Sequence, residues 1–365
     1  MQLINLLSWL PGHSGFGSYV QRVLPGLGGW RLQLDDDGNA QLIEARRWLT
    51  QPPQWSPQWR MRVFQRYSLV QHGLNLPDVL KHNGMTTEQI EVIYSPFFDA
   101  LLCCPNVPQL ITCHDLTPLV ASNSRKAWFR YRFWQPRHCR VATRLIAISH
   151  YVADQLVDFG VDPNAIEIIP NGITIMRPRV ISPGSDDLLV LARHDVNKNL
   201  PAMLRGVAQL QLMSPRWTGV LRIVGRPGRQ TALVERLHRE LPDPNQVKLI
   251  NAMSHHDLLA CMRSSMAVVS ASSEEGFDYP ILEAKAEGIP TIVSDIPVHR
   301  EFHVGSSLFF SADDDGTALA NQIRNLLVEP GLWDQLSRDG FVLAERMSVE
   351  AQQSAIRNQL SILHK

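Results

Sequence analysis

The chain has 365 residues, 44% apolar and 19% charged, with 35 basic side chains balanced by 35 acidic ones. That length predicts two domains of roughly 150–200 residues each, and the composition excludes a disordered chain. Zero net charge argues against a general nucleic-acid binder, and no apolar run reaches the 18 or so residues a membrane span needs.

The opening MQLINLLSWLPG has no basic n-region or cleavage pattern, so it reads as a first strand and not a signal peptide. Further strands are expected at 92–94, 109–112, 144–148, 166–169, 188–191, 220–224, 247–249, 267–269, 291–293 and 308–310. Helices are expected between them, at 149–159, 199–212, 229–240, 254–264 and 317–328. Short apolar runs alternating with longer amphipathic stretches give α/β units around parallel sheets. The segment 46–66, rich in Pro, Trp, Gln and Arg, reads as an insertion or lid on the front domain. Prolines and polar residues interrupt the rhythm at 172–187, which sets the expected domains at 1–175 and 176–347. Up to residue 180 there are 17 basic and 13 acidic residues, and after it 18 and 22.

The five cysteines lack paired metal spacing or a disulfide framework and read as reduced thiols. The 13 histidines form no ligand pattern, so no metal or other cofactor is expected. The triplets at 35–37 and 313–315 each precede a glycine and read as solvated turns.

The stretch 272–295, SSEEGFDYPILEAKAEGIPTIVSD, is the most informative. Glu275 and Glu283 stand seven residues apart, with Gly276 after the first and Pro280 between them. A strand entering this turn and a helix from Pro280 would offer N–H groups and a positive dipole end to an anion. Glu275 would accept hydrogen bonds from a sugar ring, and Glu283 would hold a ribose diol. On spacing alone the pair also fits solvated acids at a helix start. No second carboxylate is evident across from Glu275, which disfavours a glycoside hydrolase.

This wording, with GIPTIVSDIPVHRE at 288–301, resembles the signature of retaining glycosyltransferases of family 4, above all mannosyl- and rhamnosyltransferases. Other motifs follow in order. They are Gly15-Phe16-Gly17, the His114-Asp115 pair after a strand, Ile148-Ser149, Ile169-Pro170-Asn171-Gly172, and RHDVNKN at 193–199. The resemblance implies a GT-B fold, two Rossmann-like domains facing across a cleft, with the donor mainly on the second and a last helix, 348–365, crossing back to the first. It implies that Arg193 and Lys198 meet the donor diphosphate, where cations offset charge growing in the transition state. It places His114 against donor sugar and phosphate, makes Glu275 an orienting group, and adds Gly15, Gly17, Gly276, Phe277, Asp278, Tyr279 and Glu283 to the donor site. Asp278 stands where the family usually has a small residue, and its carboxylate is read as contacting or excluding donor sugars.

The implied reaction transfers a hexose, with retention, from a nucleotide sugar to a glycan or lipid-linked acceptor in surface polysaccharide or lipopolysaccharide synthesis. GDP-mannose is the favoured donor and a UDP-hexose the next. A second reading is a GT-B-like protein that binds sugar nucleotide or glycan without transferring it. From 124 to 140 six basic residues interleave with five aromatics, with no acid from 116 to 153. That pattern suits an anionic membrane surface, and equally a helix with aromatics in the core. The implied location is cytoplasmic, peripheral on the inner face of the cell membrane.

Overall fold

The computed structural model describes residues 1–9, 15–35, 39–50, 75–121, 125–214 and 216–364. Most of the segment read as an insertion, and Ser124 at the head of the basic-aromatic stretch, lie outside the described residues. The chain forms two compact units. One comprises Met1–Leu116, Phe129–Gly172 and Val349–Lys365, the other Thr117–Trp128 and Ile173–Ser348.

Among the described residues the first unit holds seven strands: β1 (Gln2–Asn5), β2 (Trp30–Leu34), β3 (Ala40–Glu44), β4 (Val92–Ser95), β5 (Gln109–Cys113), β6 (Arg144–Ala147) and β7 (Ile166–Ile168). They lie in the order β3-β2-β1-β4-β5-β6-β7, and only β2 with β3 is antiparallel. These two strands flank the first acidic triplet and were not expected from the sequence. Asp35 closes their turn, its amide donating to the Asn39 carbonyl and its carboxylate accepting from the Asn39 amide at 2.8 Å. The helix Val349–Leu363 packs on this unit, where the Gln352 side chain takes the Gly172 amide at 2.9 Å and donates to Asn171 at 3.1 Å. Asn171 and Gly172 belong to the Pro-Asn-Gly turn singled out above.

The second unit is an all-parallel six-stranded sheet ordered β10-β9-β8-β11-β12-β13. Its strands are β8 (Leu188–Leu191), β9 (Leu221–Val224), β10 (Val247–Ile250), β11 (Ala267–Ser270), β12 (Thr291–Ser294) and β13 (Leu308–Phe310). Both faces are covered, which is why these strands read as unbroken apolar runs. Leu188 and Val190 join one cluster with Leu204, Val207 and Ile223, while Leu189 joins the other with Ile281, Ala284 and Val293. The chain runs outward from β8 to β10, then returns to pair β11 with β8. At such a reversal neighbouring loops diverge and leave a crevice at the carboxyl ends of the strands, which is where open α/β sheets bind ligands.

Candidate active site beside the strand reversal of the second unit

Two loops meet at that reversal. The first leaves β8 through Arg193, turns at Val196–Lys198, and starts the helix Leu200–Leu212 after Asn199, whose φ of 46° is left-handed. Gly225 permits this packing, because a Cβ there would sit 1.8 Å from the Ala192 carbonyl oxygen. The second loop leaves β11 and runs through 271–278 to the helix Tyr279–Ala286. The two are tied together by the Ser273 amide donating to the Asn197 carbonyl at 2.8 Å.

Side chains converge where the loops touch. Lys198 Nζ lies 2.6 Å from Glu275 Oε1 and 3.5 Å from Asp278 Oδ1. Glu275 also accepts from the Ser272 hydroxyl at 2.8 Å and from Asn197 at 3.5 Å. Asp278 takes the Ser270 hydroxyl at 2.5 Å and faces His299 Nε2 at 3.2 Å. A small cavity lined by Lys198, Ser270, Ser272, Asp278 and Pro280 adjoins the group.

Burial and mutual charge set the protonation of this cluster. For Lys198, burial disfavours the ammonium, but Asp278 and Glu275 outweigh it and hold the pKa above the usual lysine value. Burial would also raise Asp278, yet Lys198 and His299 hold it well below the carboxylate range. Glu275 moves the other way, lifted by burial and by the Asp278 charge against the pull of Lys198. Asp278 is therefore the firmly ionised carboxylate, and Glu275 the one nearer to accepting a proton.

Asp278 has φ 66° and ψ 66°, a left-handed conformation uncommon for residues other than glycine, asparagine and aspartate. Its carboxylate makes no capping bond to the helix it precedes but points inward at Lys198, Ser270 and His299. The first turn of Tyr279–Ala286 thus keeps amide groups that Asp278 does not occupy, with Pro280 among the first helical residues.

The other expected site residues are distributed as follows. Arg193 is largely exposed and pairs through Nε with Asp195 at 3.4 Å. Phe277 is buried, edge-on to Tyr279 and Phe302 at ring separations of 5.3 and 5.0 Å. Gly276 is buried beside it, and Glu283 is half-buried on the helix. In the first unit, Gly15 opens the helix Gly15–Val23 and Gly17 is buried within it. His114 follows β5, with Nε2 2.8 Å from the Pro96 carbonyl and its ring edge-on to Tyr19 at 4.5 Å. Burial pulls its pKa down to about 4, so it is a neutral imidazole at pH 7.

Several participants had escaped the sequence reading. Asn197, Ser270, Ser272 and His299 complete the shell around Glu275 and Asp278. The available signal was position alone: each sits at or just past the carboxyl end of β8, β11 or β12. His194, next to Arg193 on the first loop, is buried with neither ring nitrogen hydrogen-bonded and its pKa lowered by that burial. The second acidic triplet serves the helix Thr317–Val328: Asp314 accepts from the amides of Gly316 and Ala318 at 2.9 and 2.6 Å, and Asp315 from Thr317 at 3.1 Å.

The basic-aromatic stretch is helical, and its aromatic side chains divide. Tyr131 is buried, with Arg130 over its ring at 5.1 Å. Phe129 and Phe133 are exposed and stack at 5.6 Å, while Arg137 covers Trp134 at 4.6 Å. Among the described residues no helix is long and apolar enough to cross a membrane.

Comparison with known proteins gives the family and the fold. Residues 35–177 match the family model described as Glycosyltransferase Family 4, and residues 185–329 that described as Glycosyl transferases group 1. The chain is 25% identical over 57% of its length to the O-antigen chain mannosyltransferase RfbU of Salmonella typhimurium. It is 25% identical over 72% of its length to a glycogen synthase of Mycobacterium tuberculosis. Over 42% of its length it is 28% identical to the GDP-mannose:cellobiosyl-diphosphopolyprenol alpha-mannosyltransferase of Xanthomonas oryzae. These alignments span 58%, 63% and 40% of the respective relatives, less than two thirds in each case. Among solved structures, Anabaena Alr3699/HepE in complex with UDP and glucose superposes with a TM-score of 0.72 at 16% identity, covering 99% of both chains. Sucrose-phosphate synthase of Thermosynechococcus elongatus superposes with a TM-score of 0.73 at 18% identity, covering 99% of this chain and 98% of the other. At such identities the likeness shows the fold.

Proposed function

The chain belongs to the family 4 glycosyltransferases of GT-B fold, and from that premise we propose that it transfers a hexose from a nucleotide sugar to a glycan or lipid-linked glycan, with retention. The observation that carries the reading is the Lys198–Glu275–Asp278 cluster at the strand reversal, beside a helix start that Asp278 leaves uncapped. Such a place suits a diphosphate: amide donors and a positive dipole end lie next to an ammonium held charged by its neighbours. Arg193, on the same loop and largely exposed, adds a planar fork that can turn from Asp195 to phosphate oxygens. Glu283 is assigned to the ribose diol.

Glu275 is assigned an orienting role towards the sugar. Its Oε1 is engaged by Lys198 and Ser272, so it is poorly placed to attack carbon, and the departing phosphate oxygen is the better acceptor for the incoming hydroxyl proton. His114, neutral at pH 7, is proposed as a hydrogen-bonding group to the donor. No metal or other cofactor is invoked in this reading.

Mannose from GDP-mannose is the favoured donor, supported by the two relatives named as mannosyltransferases. The Salmonella relative's O-antigen product also favours lipopolysaccharide or another surface glycan as the destination. The exposed Phe129 and Phe133 among arginines 130, 132, 137 and 140 favour peripheral contact with an anionic membrane, on the cytoplasmic face. A thermal-shift series with GDP, UDP, ADP and TDP sugars tests the donor. Ligand at a hundred times its dissociation constant adds about 2.7 kcal/mol of stability. A shift with GDP-mannose supports the reading, a UDP-hexose shift replaces the donor, and no shift with any of them refutes it.

A further inference from the structure

His299 stands fully buried on the helix Pro297–His303, and both ring nitrogens face acceptors. Nδ1 lies 2.8 Å from the carbonyl oxygen of Ser294, and Nε2 lies 3.2 Å from Oδ2 of Asp278. Neither oxygen has a proton to give, since Asp278 is the firmly ionised carboxylate of the cluster. Both contacts are hydrogen bonds only if each nitrogen carries its own hydrogen, and a neutral imidazole has one. The Ser294 hydroxyl, 3.3 Å from Nδ1, does not alter this, because it donates to the Ser272 carbonyl at 2.5 Å.

The surroundings complete the charge count. His303 lies one turn on, with ring centroids 6.0 Å apart, and is held neutral by burial and by the neighbouring Lys285 and His299. Arg300 turns to Asp295 at 2.5 Å. Through Asp278 the ring is linked to Lys198, and through Lys198 to Glu275. With His299 protonated, two carboxylates face two cations. With it neutral, one negative charge is left in excess beside the ammonium assigned to the diphosphate.

We propose that His299 is a positioning residue with a hydrogen on each ring nitrogen: by sharing Asp278 it leaves Lys198 available to a nucleotide-sugar diphosphate, so donor affinity depends on that second proton. This rests on the donor-site reading above.

Calorimetric titration with GDP-mannose and UDP-glucose between pH 6 and 9 tests it, since the diphosphate of an intact sugar nucleotide does not itself ionise there. Wild-type affinity should fall about tenfold across that range, a typical coupling for two linked sites. Asp278→Asn, which tolerates the left-handed backbone, removes the acceptor that requires the second proton and should bind with no pH response. His299→Gln should be equally flat, about tenfold weaker than wild type at pH 6. A flat wild-type profile, or a response retained in Asp278→Asn, overturns the proposal. Should neither sugar nucleotide bind wild type, the donor-site reading falls, and the ¹⁵N spectrum of the ligand-free ring still decides the charge. Two protonated nitrogens at pH 7 uphold the imidazolium and one refutes it.

Discussion

Lys198→Met is the most informative single perturbation. It keeps an unbranched, flexible side chain one atom shorter and removes the cation that Glu275 and Asp278 share at 2.6 and 3.5 Å. Stripping one partner from a buried ion pair costs about 3–5 kcal/mol when nothing compensates. Here Glu275 keeps the Ser272 hydroxyl, and Asp278 keeps Ser270 and His299, so about 2–3 kcal/mol at neutral pH is expected. In the variant, two neighbouring carboxylates without their cation favour protonation of one, Glu275 first, and its folded-state pKa rises further above its unfolded value. The deficit is then largest above that raised pKa and shrinks as pH falls through it. Urea unfolding at pH 7.5 and pH 5 reads this directly, with unchanged m-values confirming that the same structure unfolds. Turnover should drop at least about tenfold, as the loss of a charge-assisted contact implies. An equal deficit at both pH values would remove the charge argument, and near-wild-type turnover would remove the diphosphate assignment.

Glu283→Ala should weaken nucleotide-sugar binding with little change in stability, because the side chain is half-buried; unchanged donor affinity in a binding titration would end its ribose assignment. Lys285 is buried, donates to the Ser306 carbonyl and hydroxyl, and is pushed by burial down to about 7. Because the unfolded lysine binds its proton up to about pH 10, stability should rise with pH from 7 towards 10. Lys285→Met should therefore raise stability at pH 7 by about 1–3 kcal/mol after the lost hydrogen bonds are counted, seen as a higher urea midpoint; a lowered midpoint would contradict this. Replacing Arg130, Arg132 and Arg137 by Gln should reduce co-sedimentation with anionic vesicles, at about 1 kcal/mol per charge. A wild-type protein that ignores such vesicles would end the membrane reading.

Periodicity and punctuation made the second unit readable almost strand by strand, since each parallel strand is a compact apolar run bounded by turns. The hairpin Trp30–Leu34 and Ala40–Glu44 was missed because its half-polar strands surround an acidic triplet that resembles solvated loop. At the candidate site, Lys198 and Glu275, which the fold brings together, were recognisable by motif. The aim of the Asp278 carboxylate was not, because it depends on a left-handed backbone angle that local sequence permits but does not require.

Taken alone, the order of residues determined the α/β class, the succession of motifs and the family, because these are local or strictly sequential properties. Which side chains share a proton or a charge was settled only by folding. Residues 198, 275, 278 and 299 come from loops and helices following three different strands. Their meeting follows from the reversal that sets β11 against β8 and then β12 against β11. Electrostatic coupling depends on distance and burial, not on separation along the chain, so the Lys198–Asp278–His299 link appears only once the strands are paired.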